Sequence, residues 1–194
     1  MRQTPNFTGW RAIVLHRSDS NTEKLSRQLK LLGFVVDMSW RPLAVAEQLD
    51  VAFIDADEGW DGLLPWKGSE NAPCPVVALL GSEAPSRIAW AMEMGAGAII
   101  AKPIATSAIF PALVMATKIH EERQGVKRRI EYYEERIRMR PLVHRAVTTL
   151  MSGRNLTEDE AYALLRNSAM HRRVALENVA ASFLAGHDEL REVM

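Results

Sequence analysis

The sequence predicts an α/β fold, a doubly wound parallel five-stranded sheet, followed by a coiled-coil helix and a small all-α bundle of three helices. Three observations predict it. Five short apolar runs alternate with segments of helical period across residues 1–112. Residues 113–140 carry apolar residues four and three apart, with one glycine, Gly125. Residues 141–194 hold three short helical segments, each with one apolar face.

The elements follow in order. Ala12-Ile13-Val14-Leu15 is a short apolar run bounded by turn residues, which suits a buried parallel strand. Thr22 to Leu32 follows as a helix, with Leu25, Leu29 and Leu32 at helical spacing and Gly33 placed as a C-cap glycine. Val35 and Val36 begin a second strand, and Leu43 to Leu49 fits a short helix. Val51 to Ile54 is a third strand ending at Asp55, and Pro75 to Leu80 is a fourth. Ser86 to Met94 reads as a helix closed by Gly95. Ala98 to Ala101 is a fifth strand ending in Lys102-Pro103, and Ser107 opens another helix. In doubly wound sheets, ligand chemistry sits at the carboxyl ends of the strands. Those ends carry His16 and Arg17, Asp55, Leu80 and Gly81, and Lys102.

In the next segment Ile119, Val126 and Tyr133 are seven apart, and Ile130 and Ile137 interleave with them. These five residues form a coiled-coil seam of about three heptads, with Arg123 and His144 as imperfect members. One amphipathic helix cannot bury its own seam, so pairing with a second copy is the simplest solution; the alternative is that the helix packs back on the first domain. Proline removes a helical hydrogen bond and clashes with the preceding turn, so Pro141 reads as a kink or boundary before the last domain. Beyond it, His144 to Ser152 is a helix ending near Gly153. Thr157 and Glu160 make a capping box for a second helix through Ala161 to Arg166. A third holds His171 to Val174 and Leu176 to Leu184, closed by Gly186, and Met151 and Met170 read as core.

Composition narrows the function classes. The 194 residues balance 24 basic against 24 acidic side chains, and 47% are hydrophobic, which is ordinary globular composition. No apolar run reaches the roughly 18–20 residues of a membrane span, and no signal peptide opens the chain, so a soluble cytoplasmic protein is expected. The single cysteine, Cys74, forms no internal disulfide, and no Cys/His spacing resembles a metal site. No Gly-rich phosphate loop or nucleophile elbow is present, so neither an enzyme nor a cofactor is expected. The charge is uneven: residues 118–173 carry 13 basic and 8 acidic side chains, a net of +5. That stretch is either a solvated helical face or an anion-binding surface.

Residues 8–115 resemble a response-regulator receiver domain. Asp55 stands where that family has its phosphoacceptor, Asp61-Gly62 resembles the downstream loop, and Lys102-Pro103 matches the lysine site. The chain departs from the pattern at two places. His16 and Arg17 occupy the position of the metal-binding acidic pair, and Leu80 occupies that of the hydroxyl residue. Magnesium needs hard oxygen ligands that a His-Arg pair does not supply. A degenerate receiver is expected, with Asp55 and Lys102 a vestigial phosphoacceptor site and Asp55 ion-paired to Lys102 or Arg17.

Residues 142–185 resemble the ANTAR domain. The matching residues are Ala146 with Leu150-Met151, Thr157 to Tyr162, Leu164-Leu165-Arg166, Ser168-Ala169-Met170 and Ala180. Val147 stands where the family has a basic residue. The layout of receiver-like domain (1–112), dimerising coil (113–140) and ANTAR domain (141–194) resembles the AmiR/NasT-type antitermination regulators, and the impaired receiver is similar to that of their aliphatic-amidase branch. The resemblance implies an RNA-binding antiterminator that, as a homodimer, stabilises hairpins of a structured leader RNA. It also implies regulation by a ligand-sensing inhibitory protein rather than by phosphorylation, and no membrane partner.

Candidate RNA-binding residues are Arg145, Ala146, Arg154, Tyr162 and Arg166, then Asn167, Ser168, His171, Arg172 and Arg173. Arginine pairs with phosphate bidentately and stacks on bases, and Tyr162 is the one aromatic of these helices that either stacks on a base or packs half-buried on the first of them. Three rival readings are a phosphorylation-dependent response regulator, a DNA-binding regulator, since small helical bundles also enter major grooves, and a protein-interaction module with no nucleic-acid role, which the near-neutral charge permits. All five tryptophans lie in the first domain and read mostly as core or edge packing. Trp60 and Trp66 flank the loop after Asp55, where aromatic anchors suit a docking partner.

Overall fold

The computed structural model describes residues 5–44 and 48–187. Contacts divide the chain into two compact units, Met1–Lys127 and Arg128–Met194.

The first unit is built on five parallel strands: β1 (Arg11–Leu15), β2 (Val35–Ser39), β3 (Val51–Asp55), β4 (Val76–Leu80) and β5 (Ala96–Ala101). They lie in the order β2-β1-β3-β4-β5. Every residue of β3 and β4 is buried, which is why these strands read as unbroken apolar runs. Side chains alternate across the sheet. Val14, Phe53, Val77 and Leu79 meet Leu25, Leu29, Ile109 and Leu113 on one face. Leu15, Ile54, Ala78 and Leu80 meet Leu63, Leu64, Trp66 and Trp90 on the other.

Helix α1 (Ser20–Leu31) starts two residues before its predicted onset, because Asp19 caps it. The Asp19 Oδ1 accepts the Thr22 amide at 2.8 Å, and the Thr22 hydroxyl returns a bond from the Asp19 amide at 2.9 Å. Gly33 follows at φ +90°, so the glycine closure predicted for this helix is present. Helix α2 (Pro85–Glu93) is closed by Gly95 at φ +95°. The helix expected over Leu43–Leu49 is absent at Leu43, Ala44, Gln48 and Leu49, and its remaining positions lie outside the described residues. The β3–β4 connection holds only a 3-10 turn, Ser69–Asn71, and covers its face of the sheet with buried loop residues.

Helix α3 (Thr106–Arg154) runs through Pro141, so of the kink or boundary expected there, the helix boundary does not occur. An interior proline costs about 3 kcal/mol. Burial of Ala146, Val147 and Leu150 just beyond it, against the following helices, offsets that cost. In the second unit, α4 (Glu158–Arg172) begins at the predicted capping box. The Thr157 amide donates to Glu160 Oε2 at 2.8 Å, and these bonds hold the Glu160 carboxyl below its ordinary range. His171 and Arg172 end α4 instead of opening the last helix. Arg173 caps α4 in the left-handed region at φ 55°, and α5 (Leu176–Leu184) follows. Leu165, Val179 and Ala180 complete a small core. Met151 packs against it, whereas Met170 is exposed rather than core. No helix among the described residues is long and apolar enough to cross a membrane.

Candidate functional site

The carboxyl ends of β1, β3 and β5 bring His16, Asp55 and Lys102 together. Register sets this up: Asp55 is level with Leu79, Leu80 is level with Ala101, and Lys102 donates its amide to the Leu80 carbonyl at 2.8 Å. Lys102 Nζ lies 2.8 Å from Asp55 Oδ1, the pairing predicted. The second partner is His16, not Arg17. His16 Nε2 stands 3.2 Å from Asp55 Oδ2, within ion-pair range but off the angle of a hydrogen bond. His16 Nδ1 faces the Arg17 carbonyl at 2.6 Å. Arg17 points away and pairs with Glu58 at 3.2 Å.

Asp57 carries a role that no spacing in the sequence signalled. Its carboxylate accepts the Gly81 amide at 2.6 Å and the Ser82 amide at 3.0 Å, and Lys102 Nζ lies 3.0 Å away. Asp57 therefore ties the loop after β3 to the loop after β4. Burial pushes its carboxyl up, but the bonds from Gly81, Lys102 and Ser82 outweigh that and hold it below the ordinary range. Burial works against the Lys102 cation, while Asp55 and Asp57 raise it above the usual lysine value.

The receiver resemblance brings a magnesium ion into question, and these residues do not fit one. Asp55 Oδ1 is taken by the Lys102 cation and Oδ2 faces the His16 ring, and His16 and Arg17 supply no anionic oxygen. Among the described residues, no group of three or more His, Cys, Asp or Glu is placed to hold a metal.

Aromatic rings border this end of the sheet. Trp40 and Trp60 pack edge to face at 5.1 Å, and Arg17 lies 5.9 Å above the Trp40 ring. Trp60 is 39% exposed, but Trp66 is core: its Nε1 donates to the Met94 carbonyl at 3.0 Å.

Along α3 the predicted seam divides by burial. Ile119 is half-buried beside Gly97, and Arg123 donates to the Gly95 carbonyl at 2.8 Å, so these two positions serve the first unit. Val126, Ile130, Tyr133 and Ile137 are 51–62% exposed.

The candidate RNA residues separate in the same way. Ala146 and Ser168 are buried and support the bundle from inside; Val147 joins them, so its lack of charge has a packing cause. Arg145 and Arg154 are exposed on α3. Tyr162 and Arg166 are exposed one turn apart on α4. Asn167 and His171 are exposed along a second row of the same helix. Arg172 and Arg173 are exposed at its end.

Sequence reasoning missed a cleft of about 420 Å³ within this unit. Arg140, Val143 and His144 of α3, Glu158, Asp159 and Tyr162 of α4, and Leu176 and Glu177 of α5 line it. Arg136 Nε donates to Glu177 Oε1 at 3.1 Å, fixing the buried Glu177 at one end, and its guanidinium lies 5.6 Å over Tyr132. The one available signal was the polar break at Arg140 and His144, the two positions that continue the Ile119-to-Ile137 pattern.

Both units are similar to known proteins. The family model "AmiR, N-terminal" matches residues 10–117, more than half of the chain, and "ANTAR domain" matches residues 131–184. The aliphatic amidase regulator of Pseudomonas aeruginosa is 27% identical over 175 residues, covering 89% of each chain. The transcriptional regulatory protein PdtaR of Mycobacterium tuberculosis is 29% identical over 106 residues, 55% of this chain and 52% of its own. The response regulator StyR shares the fold at a TM-score of 0.54 and 18% identity, over 90% of this chain and 98% of its own. A parallel receiver-like sheet with its acidic pair replaced, followed by a helical unit with the ANTAR pattern, thus agrees with both family models, and the chain belongs to the AmiR family of ANTAR-domain response regulators.

Proposed function

We propose that the chain is an RNA-binding transcription antiterminator. It works as a homodimer joined along α3 and stabilises hairpins in a nascent leader transcript, so that a competing terminator does not form. The observation that carries this reading is the ANTAR match over residues 131–184, on a unit whose surface presents Arg145, Arg154 and Arg166. Arginines suit phosphate by bidentate pairing, and unpaired loop bases are where proteins read RNA sequence. The exposed row Val126, Ile130, Tyr133 and Ile137 supports dimerisation, because large apolar side chains at heptad spacing favour burial against a partner. Two RNA-binding units per dimer raise effective affinity without larger single contacts.

Control runs through the receiver-like unit by a docked, ligand-sensing inhibitory protein rather than by phosphoryl transfer. Supporting this, Lys102 is held between Asp55 and Asp57, and His16 stands where a metal would be needed to neutralise a phosphoryl group. The test is selection of RNA hairpins from a randomised-loop pool by the full chain, with and without a small phosphodonor. Loop-dependent binding by a dimer, indifferent to the donor, supports the reading. A monomer with no hairpin preference contradicts it.

A further inference from the structure

We infer that the cleft between α3, the first turns of α4 and the start of α5 receives one unpaired nucleobase of the bound RNA, stacked on Tyr162. The inference rests on the RNA-binding reading above and places a base-recognition site within it.

The size fits: about 420 Å³ falls inside the roughly 300–1,000 Å³ of small-ligand sites. The lining fits as well. A nucleobase has two apolar faces and an edge that carries both donors and acceptors. Val143, Val147 and Leu176 supply apolar surface, and Tyr162 is 45% exposed, with its ring available for stacking. Arg140 and His144 bring donors to the cleft, while Glu158 and Asp159 bring carboxylates that accept from exocyclic amino groups. Those two carboxylates repel a phosphate, so the base enters and the backbone stays outside. Arg136 is committed to Glu177 and holds one end of the cleft in shape.

The sequence pattern points the same way. Arg140 and His144 stand at the next two positions of the apolar heptad pattern, where apolar residues would favour the coil. A polar pair there weakens helix pairing, and lining a base-binding cleft accounts for it. Single-stranded RNA loops present bases free of pairing and stacking, which duplex DNA does not.

The test uses the full chain and a hairpin that it selects from a randomised-loop pool. Each loop position is replaced in turn by an abasic nucleotide, and binding is measured for the wild type, Tyr162→Phe and Tyr162→Leu. Thermal melting confirms that the variants fold. At one loop position, removing the base weakens wild-type binding by roughly 5–100-fold, the weight of one base–aromatic stack. The same removal changes Tyr162→Leu binding less than twofold, and Tyr162→Phe behaves as wild type. Competition by free nucleoside monophosphates would show the same cleft taking an untethered base; its absence, with the abasic effect intact, ties the site to RNA. Full base dependence retained in Tyr162→Leu overturns the inference while leaving the RNA-binding reading standing. A chain that selects no hairpin overturns both.

Discussion

His16 Nε2 lies 3.2 Å from Asp55 Oδ2, with both side chains almost wholly buried. A receiver that transfers phosphoryl groups needs a metal to offset negative charge at this point. Here a side chain of the protein holds the position, so the site is closed by its own residues. His16→Asp replaces that ring with a carboxylate beside Asp55. Removing one partner of a buried pair and adding a like charge destabilises the first unit by about 3 kcal/mol. Thermal melting is expected to show the loss, and millimolar magnesium to recover part of it in the variant alone. A wild-type melting temperature that rises with magnesium would contradict this.

Asp57→Asn tests the clamp between the two loops. The native carboxylate takes two amides and Lys102, and hydrogen bonds to charged groups contribute about 2 kcal/mol in sum once water is counted. Melting is expected roughly 5–10 °C lower. The pH dependence has a definite sign. Because the Asp57 carboxyl is held below its ordinary range, its stabilisation is present above about pH 4 and lost as pH falls through the native value. Lys102 is raised, so its share is present below about pH 10 and lost as pH rises through its native value. Wild type is therefore expected to lose stability in acid more steeply than Asp57→Asn.

Cys74 is 2% exposed, and burial, with the Asp50 charge adding to it, pushes its thiol up to about 12. The reactive species is the thiolate. A disulfide reagent at pH 8 is expected to leave the folded chain unlabelled and to react within minutes in denaturant. Prompt labelling of the native protein would place Cys74 outside the core.

Ile130→Lys and Ile137→Lys probe the exposed row on α3. Burying an isoleucine contributes about 1.5–3 kcal/mol, so each substitution is expected to raise the dimer dissociation constant by about 10–100-fold. Sedimentation across a concentration series reads this directly. The second unit should keep its helices, since neither residue belongs to the core of Leu150, Leu165 and Val179.

Local patterns were legible where one stretch of chain determines them. The runs that became β1, β3 and β4, the Thr157–Glu160 box and the glycine after α1 depend on neighbours in sequence. Asp55 and Lys102 were legible because strand order brings strand ends together. At Pro141 the helix continues because burial just beyond it outweighs the local preference to stop, and Leu43–Leu49 is not helical at its described positions. The choice of His16 over Arg17 as the partner of Asp55, and the reach of Asp57 to Gly81, depend on loop geometry that no periodicity encodes. Ser168 reads as a polar surface residue until α4 extends through Arg172 and turns it into the bundle.

The most direct test of RNA recognition is a salt-titrated binding measurement on the full chain. The ligands are a two-hairpin RNA, the same RNA with its loops replaced, and duplex DNA. The expected result is tight binding to the first alone, with log affinity falling linearly against log salt as phosphate contacts release counterions. Equal affinity for duplex DNA, or RNA binding that ignores both loop sequence and salt, would contradict it.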